Sequence, residues 1–366
     1  MDNLTDLSIT PEHVGSPELF QHSIEMTIFI TVAYGFMFVT GVLGNTFVVL
    51  AVCAHKNLNI TTDYLILALA LADLFILWVC LPTTVANILF SEWQFGKLLC
   101  SITTWASAAT SCTSVYTLVA VTADRYLAIC HTLKYNTSWD REYTKYVIFT
   151  IWIVSAIVGL PYYYTFDVQT YPGDGVQYDI CLQTRGDTRL IFFVINLMFA
   201  FIIPFGLIIT LYTKIFITVS THRSLAIDAR AREDRVKLRV ATMMLTVIIS
   251  FAFSWIPIII TFIYLVFVGI PGSDTYTFLS SVLRPIFQWF SLLSSTLNPI
   301  IYIAYSHKYR RAFKKILLMP CRLRYERVRS TILRKPTQLG HSAKVIGESV
   351  SFKNCTETTA ISTSTY

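Results

Sequence analysis

Residues 62–89 read TDYLILALALADLFILWVCLPTTVANIL. Beyond Asp63 this stretch holds one charged side chain, Asp73, in an otherwise apolar or hydroxyl-bearing run. A bilayer core about 30 Å thick needs roughly 20 such residues in a helix, so the stretch predicts a membrane span with a carboxylate near its middle. Working outward, comparable runs lie near residues 24–54, 98–130, 143–164, 188–218, 240–268 and 276–304. Together they predict an all-α membrane protein built as a seven-transmembrane helix bundle.

The composition agrees. Of 366 residues, 54% are apolar and 14% charged, with a mean hydropathy of +0.56, whereas soluble chains carry about 25% charged residues. A net charge of +7 would suggest nucleic acid only if the basic residues formed a face of a soluble domain. Here they gather beside apolar runs, as at a membrane surface, so no nucleic-acid partner is expected. Cys53, Cys80, Cys112 and Cys130 fall in or beside apolar runs and read as free thiols packed as small hydrophobes.

Charge also orients the bundle. On the side of the first 23 residues the loops and helix mouths hold only Lys97, Arg185, Arg189 and Arg284, and the other 25 of the 29 basic residues lie on the opposite side. The positive-inside rule then puts the amino terminus outside and the carboxyl terminus in the cytoplasm. No cleavable signal peptide is expected before the first run, which is expected to act as its own insertion signal. Segment by segment, 1–23 reads as an extracellular segment and 24–304 as the bundle. Residues 305–319 read as a short amphipathic eighth helix on the inner leaflet, with Tyr309, Phe313, Ile316 and Leu317 at helical spacing, and 320–366 as a disordered tail.

Polar residues inside spans cost about 2.5 to 3.5 kcal/mol when ionisable, so each calls for a partner or a function. Asp73 reads either as a carboxylate satisfied by neighbouring helices or as a buried cation or proton site; Asn45, Ser114, Ser294 and Asn298 lie at comparable depth and offer oxygens, a set suited to a sodium ion. Asp124 and Arg125 close the third span, about 38 Å of helix beyond Cys100. They read either as a snorkelling Arg or as a switchable ion pair. Pro82, Pro161, Pro204, Pro257 and Pro299 each weaken a span, with Trp255-Ile-Pro257 and Asn298-Pro-Ile-Ile-Tyr302 the better hinge candidates. Cys100 and Cys181 are the two cysteines expected outside, where a disulfide between them would pin the long second outer loop over the bundle.

In order along seven spans stand Gly44-Asn45, Leu69-Ala-Leu-Ala-Asp73, Trp93 with Phe95-Gly96 and Cys100, Asp124-Arg125-Tyr126 and Trp152. Pro204 with Tyr212, Phe251 with Ser254-Trp-Ile-Pro257, and Asn298-Pro299-Ile-Ile-Tyr302 follow. This set resembles the rhodopsin-like G-protein-coupled receptors over residues 24 to about 320. The resemblance implies a receptor, not an enzyme, whose outer cavity binds an agonist and whose inner face activates a heterotrimeric G protein. It implies that Arg125 meets the G protein, that Asp124 is its resting partner, and that Tyr212 and Tyr302 hold the open form. Trp255 would floor the cavity, and Asp73, Ser114, Ser294 and Asn298 would form an allosteric sodium site favouring the inactive state. Ser254 and Ser294 depart from the common residues at their positions. Arg235, Lys237 and Arg239 stand at the base of the sixth helix in place of an acid, so restraint of Arg125 is expected to rest on Asp124.

By the same resemblance, Leu292 stands where opsins carry the retinal lysine, and Ser107 where amine receptors carry an Asp. The expected cavity lining is then Thr83, Trp93, Thr104, Ser107, Phe262, Arg284 and Gln288. This mixed polar and aromatic surface suits a peptide, with Arg284 meeting either a ligand carboxylate or Asp274. The segments 93–96 and 124–131 look most like neuropeptide receptors of the galanin, allatostatin and somatostatin type. A lipid or small-molecule ligand is the alternative, and a transporter the rival from another class, though no internal repeat supports it. Asn3 heads a glycosylation sequon, Cys321 is a palmitoylation candidate, and the Ser/Thr-rich tail from Thr356 to Thr365 is expected to recruit receptor kinases and arrestin.

Overall fold

The computed structural model describes residues 20–54, 60–132, 135, 140–172, 177–183, 188–222, 228–268, 270 and 273–318. Asn3, Cys321 and the Ser/Thr-rich tail lie outside the described residues. The chain divides into two units, Met1–Ser306 and His307–Tyr366.

In the first unit α1 spans Ile24–Ala54, α2 Thr61–Leu89, α3 Gly96–Cys130 and α4 Arg141–Thr165. An antiparallel hairpin follows, β1 Phe166–Pro172 and β2 Gln177–Gln183. Helix α5 runs through Thr188–Leu197, Met198–Ile202 and Ile203–His222; α6 is Asp228–Phe267; α7 runs through Asp274–Phe278, Leu279–Leu283 and Arg284–Tyr305. In the second unit residues 307–318 form a helix, α8.

Five helices, α1, α2, α4, α5 and α6, are long and apolar enough on composition alone to cross a membrane. Helices α3 and α7 are long enough but more polar. Their Ser and Thr side chains are tolerated because they bond within the helix. On α3 the hydroxyls of Thr103, Thr104, Thr113, Thr117 and Thr122 each donate to the carbonyl four residues earlier, which removes the cost of a bare donor.

The packing is that of a bundle in an apolar solvent. On α1, Phe29, Val32, Phe36, Val39 and Leu43 form an exposed stripe, while Tyr34, Gly41 and Asn45 face inward. Around Tyr34 a core of Ile30, Met37, Leu77, Leu81, Ile88 and Leu292 joins α1, α2 and α7. Gly41 is needed there, since a Cβ would lie 2.7 Å from Leu77 and 2.9 Å from Thr296.

Among the described residues, three helices each contain one π turn. The backbone N–H groups of Leu81, Ile203 and Arg284 donate to the carbonyls of Ile76, Met198 and Leu279, five residues back. Each turn is followed by a proline at its second residue beyond, Pro82, Pro204 or Pro285, so that the carbonyl four residues before the ring belongs to the centre of the turn. A proline ring clashes with that carbonyl in a regular helix, and the wider turn moves it aside. Pro161, Pro257 and Pro299, by contrast, sit inside continuous α-helix. The π turns therefore fall beside Pro82, Pro204 and the unanticipated Pro285.

Candidate functional site

The β hairpin is fastened to one end of the bundle. Cys100 at the start of α3 is bonded to Cys181 of β2, as the cysteine positions led one to expect. The backbone N–H of Trp93 donates to the Asp179 carbonyl at 2.6 Å, and the Ser101 hydroxyl to the Phe166 carbonyl at 2.9 Å. Gly96, with φ of 70°, makes the left-handed turn into α3 and accepts from the Trp93 indole at 2.9 Å. Lys97 and Asp167 pair at 2.7 Å, and this bond holds the Asp167 carboxyl below the usual carboxylate range.

Below the hairpin lies a cavity of about 330 Å³. It is lined by all seven residues expected from sequence, Thr83, Trp93, Thr104, Ser107, Phe262, Arg284 and Gln288, with Trp255 also in the wall. Sequence reading missed the contribution of α4 and α5, where Tyr162, Phe193, Asn196 and Phe201 complete the lining. No periodicity marks these as inward; Tyr162 is recognised only once its hydroxyl is seen donating to Asn196 Oδ1 at 3.2 Å. All three π turns border the cavity: Ile76, Ala200 and Arg284 belong to them or flank them directly.

Arg284 is not paired with Asp274, and no ion pair joins it to any described acid. Beside it stands His22, just before α1, whose imidazole is held below its ordinary value by burial and then by the positive charge of Arg284. The chain around His22 is tied down: Gln21 donates its backbone N–H to the Leu89 carbonyl at 2.9 Å and its side chain to the Phe90 carbonyl at 2.7 Å.

From the cavity wall an aromatic stack runs deeper. Trp255 lies 5.5 Å from Phe251 and 5.4 Å from Phe201, and Phe251 lies 6.3 Å from Phe205. The stack couples α6 to α5. In the interior, Asp73 is 1% exposed and accepts from Asn298 Nδ2 at 2.8 Å. Asn45 donates to the carbonyls of Gly41 and Ser295. No basic residue among those described pairs with Asp73. Ser114 Oγ is buried without a partner, and Ser294 spends its proton on the Ser291 carbonyl at 2.7 Å, leaving its lone pairs available. Asp73 is a buried carboxylate with Asn298 and Ser295 as its hydrogen-bonding neighbours and no basic partner among the described residues, a donor chemistry compatible with a small monovalent cation.

At the far end of α3, Asp124 is fully buried and Arg125 is 5% exposed. Asp124 Oδ2 accepts from Arg125 Nη2 at 2.6 Å and Nε at 3.0 Å. Two threonines that open α2 close the arrangement. Thr61 donates to Asp124 Oδ1 at 2.9 Å, and Thr62 donates to Oδ2 at 2.7 Å while accepting from Arg125. Among the described side chains of α6, none bonds Arg125. Tyr126 bonds His131 at 3.0 Å. Tyr212 donates to the Ala241 carbonyl at 3.2 Å, bridging α5 and α6, and Tyr302 is buried on α7.

Comparison with known proteins bears on this geometry. A family model described as "7 transmembrane receptor (rhodopsin family)" matches residues 44–302. The allatostatin-A receptor of Bombyx mori is 29% identical over 235 residues, 63% of this chain and 64% of that receptor. The RYamide receptor of Tribolium castaneum is 27% identical over 243 residues, 61% of this chain and 64% of that one. The neuropeptide Y receptor type 2 of Bos taurus is 26% identical over 263 residues, 68% of this chain and 64% of that one. The matched part thus spans less than two thirds of the length of these relatives.

Proposed function

The chain belongs to the rhodopsin family of seven-transmembrane receptors, and from that premise we propose that it binds an extracellular neuropeptide and activates a heterotrimeric G protein. The reading is carried by one observation. A cavity under the disulfide-linked hairpin and a closed Asp124–Arg125 pair sit at opposite ends of α3, with the Trp255–Phe251 stack between them. An agonist that favours a rearranged Trp255 would shift the equilibrium towards a form in which Arg125 leaves Asp124 and meets the G protein. The shift equals the difference in its affinity for the two forms.

Relatives named for peptides support a peptide ligand, and the cavity volume admits one end of such a chain. The amino terminus faces outside and the basic carboxyl-terminal part the cytoplasm at the plasma membrane; support comes from the Lys/Arg distribution. In the same reading Tyr212 and Tyr302 steady the open form. A sodium ion at Asp73, Ser114, Ser294 and Asn298 supplies the missing positive charge and favours the closed form. The Ser/Thr-rich tail takes phosphate from receptor kinases and recruits arrestin, Asn3 is glycosylated, and Cys321 is palmitoylated beside inner-leaflet lipids; support for these is the sequence pattern.

The test is G-protein dissociation in cells expressing the chain, screened against neuropeptides with amines and lipids as controls. A saturable response to one peptide family is expected, abolished in Arg125→Ala with surface expression and agonist binding retained. Loss of binding with normal signalling per receptor would overturn the role assigned to Arg125.

A further inference from the structure

The cavity is charged in one sense only. Among its lining residues Arg284 bears a charge, and none is Asp or Glu. The guanidinium is reached from the cavity. It is flanked by two phenols, Tyr34 and Tyr276, and by the His22 imidazole, none of which is a resident counter-ion. Asp274, the acid on the same helix, leaves it unpaired. Arg284 is exposed where it lines the cavity, so an entering anion meets a cation with no resident partner among the described acids.

Two further groups point the same way. Asn196 Nδ2 and Trp255 Nε1 are buried in the cavity wall with no acceptor in reach, although Asn196 Oδ1 is already satisfied by Tyr162. The cavity therefore presents unmatched donors from α5, α6 and α7 and no unmatched carboxylate. A cationic ligand is repelled, and an amide-capped end leaves Arg284 as it was.

Resting on the peptide-receptor reading, we propose that the ligand end entering this cavity bears a carboxylate, which pairs with Arg284 while acceptor oxygens beside it meet Asn196 and Trp255. The carboxylate belongs to a free carboxyl terminus or to an Asp or Glu side chain near the end; the two share the chemistry that Arg284 recognises.

The experiment uses the full chain purified in lipid nanodiscs and a random pentapeptide library made in two forms, free acid and carboxamide, with retained peptides read by mass spectrometry. Decanoate, as a non-peptide carboxylate, is tested in parallel. Free acids are expected to be enriched about tenfold over carboxamides, the size of one charge-assisted contact. Arg284→Gln should bring the ratio near one, and Arg284→Lys should keep the preference, which separates charge from folding. Carboxamides retained only when they contain Asp or Glu would assign the side-chain source and uphold the site. Peptides retained without charge preference would overturn the carboxylate while leaving the receptor reading intact. Decanoate retained through Arg284 without any peptide would do the reverse. A preference unchanged in Arg284→Gln, or no retention of any probe, overturns the proposal.

Discussion

Asp124 and Arg125 are neighbours in sequence, so their pairing could be anticipated; what holds the pair shut could not. Thr62 lies 62 residues from Asp124 and bonds both partners, and nothing in a threonine at a helix start names its distant acceptor. Hydrogen bonds to charged groups are worth about 1.5 to 3 kcal/mol, so Thr62→Val should raise ligand-independent G-protein signalling severalfold at equal surface expression. Unchanged basal signalling would reduce Thr62 to a packing role. His22 gives a second expectation. Its folded value is depressed below 6.5, so the unfolded chain takes up a proton first as pH drops. Stability is thus full above about 6.5 and declines as pH falls through the folded value. Thermal unfolding of the purified chain should show this decline, and His22→Gln should flatten it. The cavity residues on α2, α3, α6 and α7 were legible from the family's ordered motifs. Tyr162 and Asn196 were not, because their importance lies in a bond to each other across two helices.

The helices themselves follow from apolar length, and their ends from the loops' charge; their irregularities need coordinates. Proline is visible in sequence, but whether the helix widens or bends around it depends on where the freed carbonyls go. At Phe199, within the α5 π turn, the carbonyl accepts from the Tyr116 hydroxyl at 3.0 Å. Near the α7 turn, the Pro285 carbonyl accepts from Tyr34 at 3.0 Å. Tyr116 thus takes up a carbonyl, five residues before Pro204, that the proline leaves without its donor. Helix contact is similarly exacting at Gly41. A methyl there must displace the buried Leu77 and Thr296 side chains, so Gly41→Ala should cost about 1 to 3 kcal/mol. The measurement is the melting temperature of the detergent-purified chain; no change would mean that α1 moves outward freely.

Across the whole molecule, the Cys100–Cys181 bond closes a loop with a sequence separation of 81. In the chain-entropy model such a closure contributes about 4 to 5 kcal/mol. Cys181→Ser should lower thermal stability markedly and weaken agonist binding, since the hairpin over the cavity loses its anchor. Binding at full strength would show that the Trp93, Ser101 and Lys97 contacts suffice. The inward hydroxyls of α3 also bear on how the protein is made. A helix that lacks the apolar character of its neighbours enters lipid poorly by itself as it leaves the ribosome. Once α4 emerges, Trp105 can donate to the Ala156 carbonyl at 3.0 Å and Gly159 can close against Ala109. Helices α3 and α4 are therefore expected to insert as a couple, so that a nascent chain halted between them would leave the future centre of the molecule waiting at the translocon.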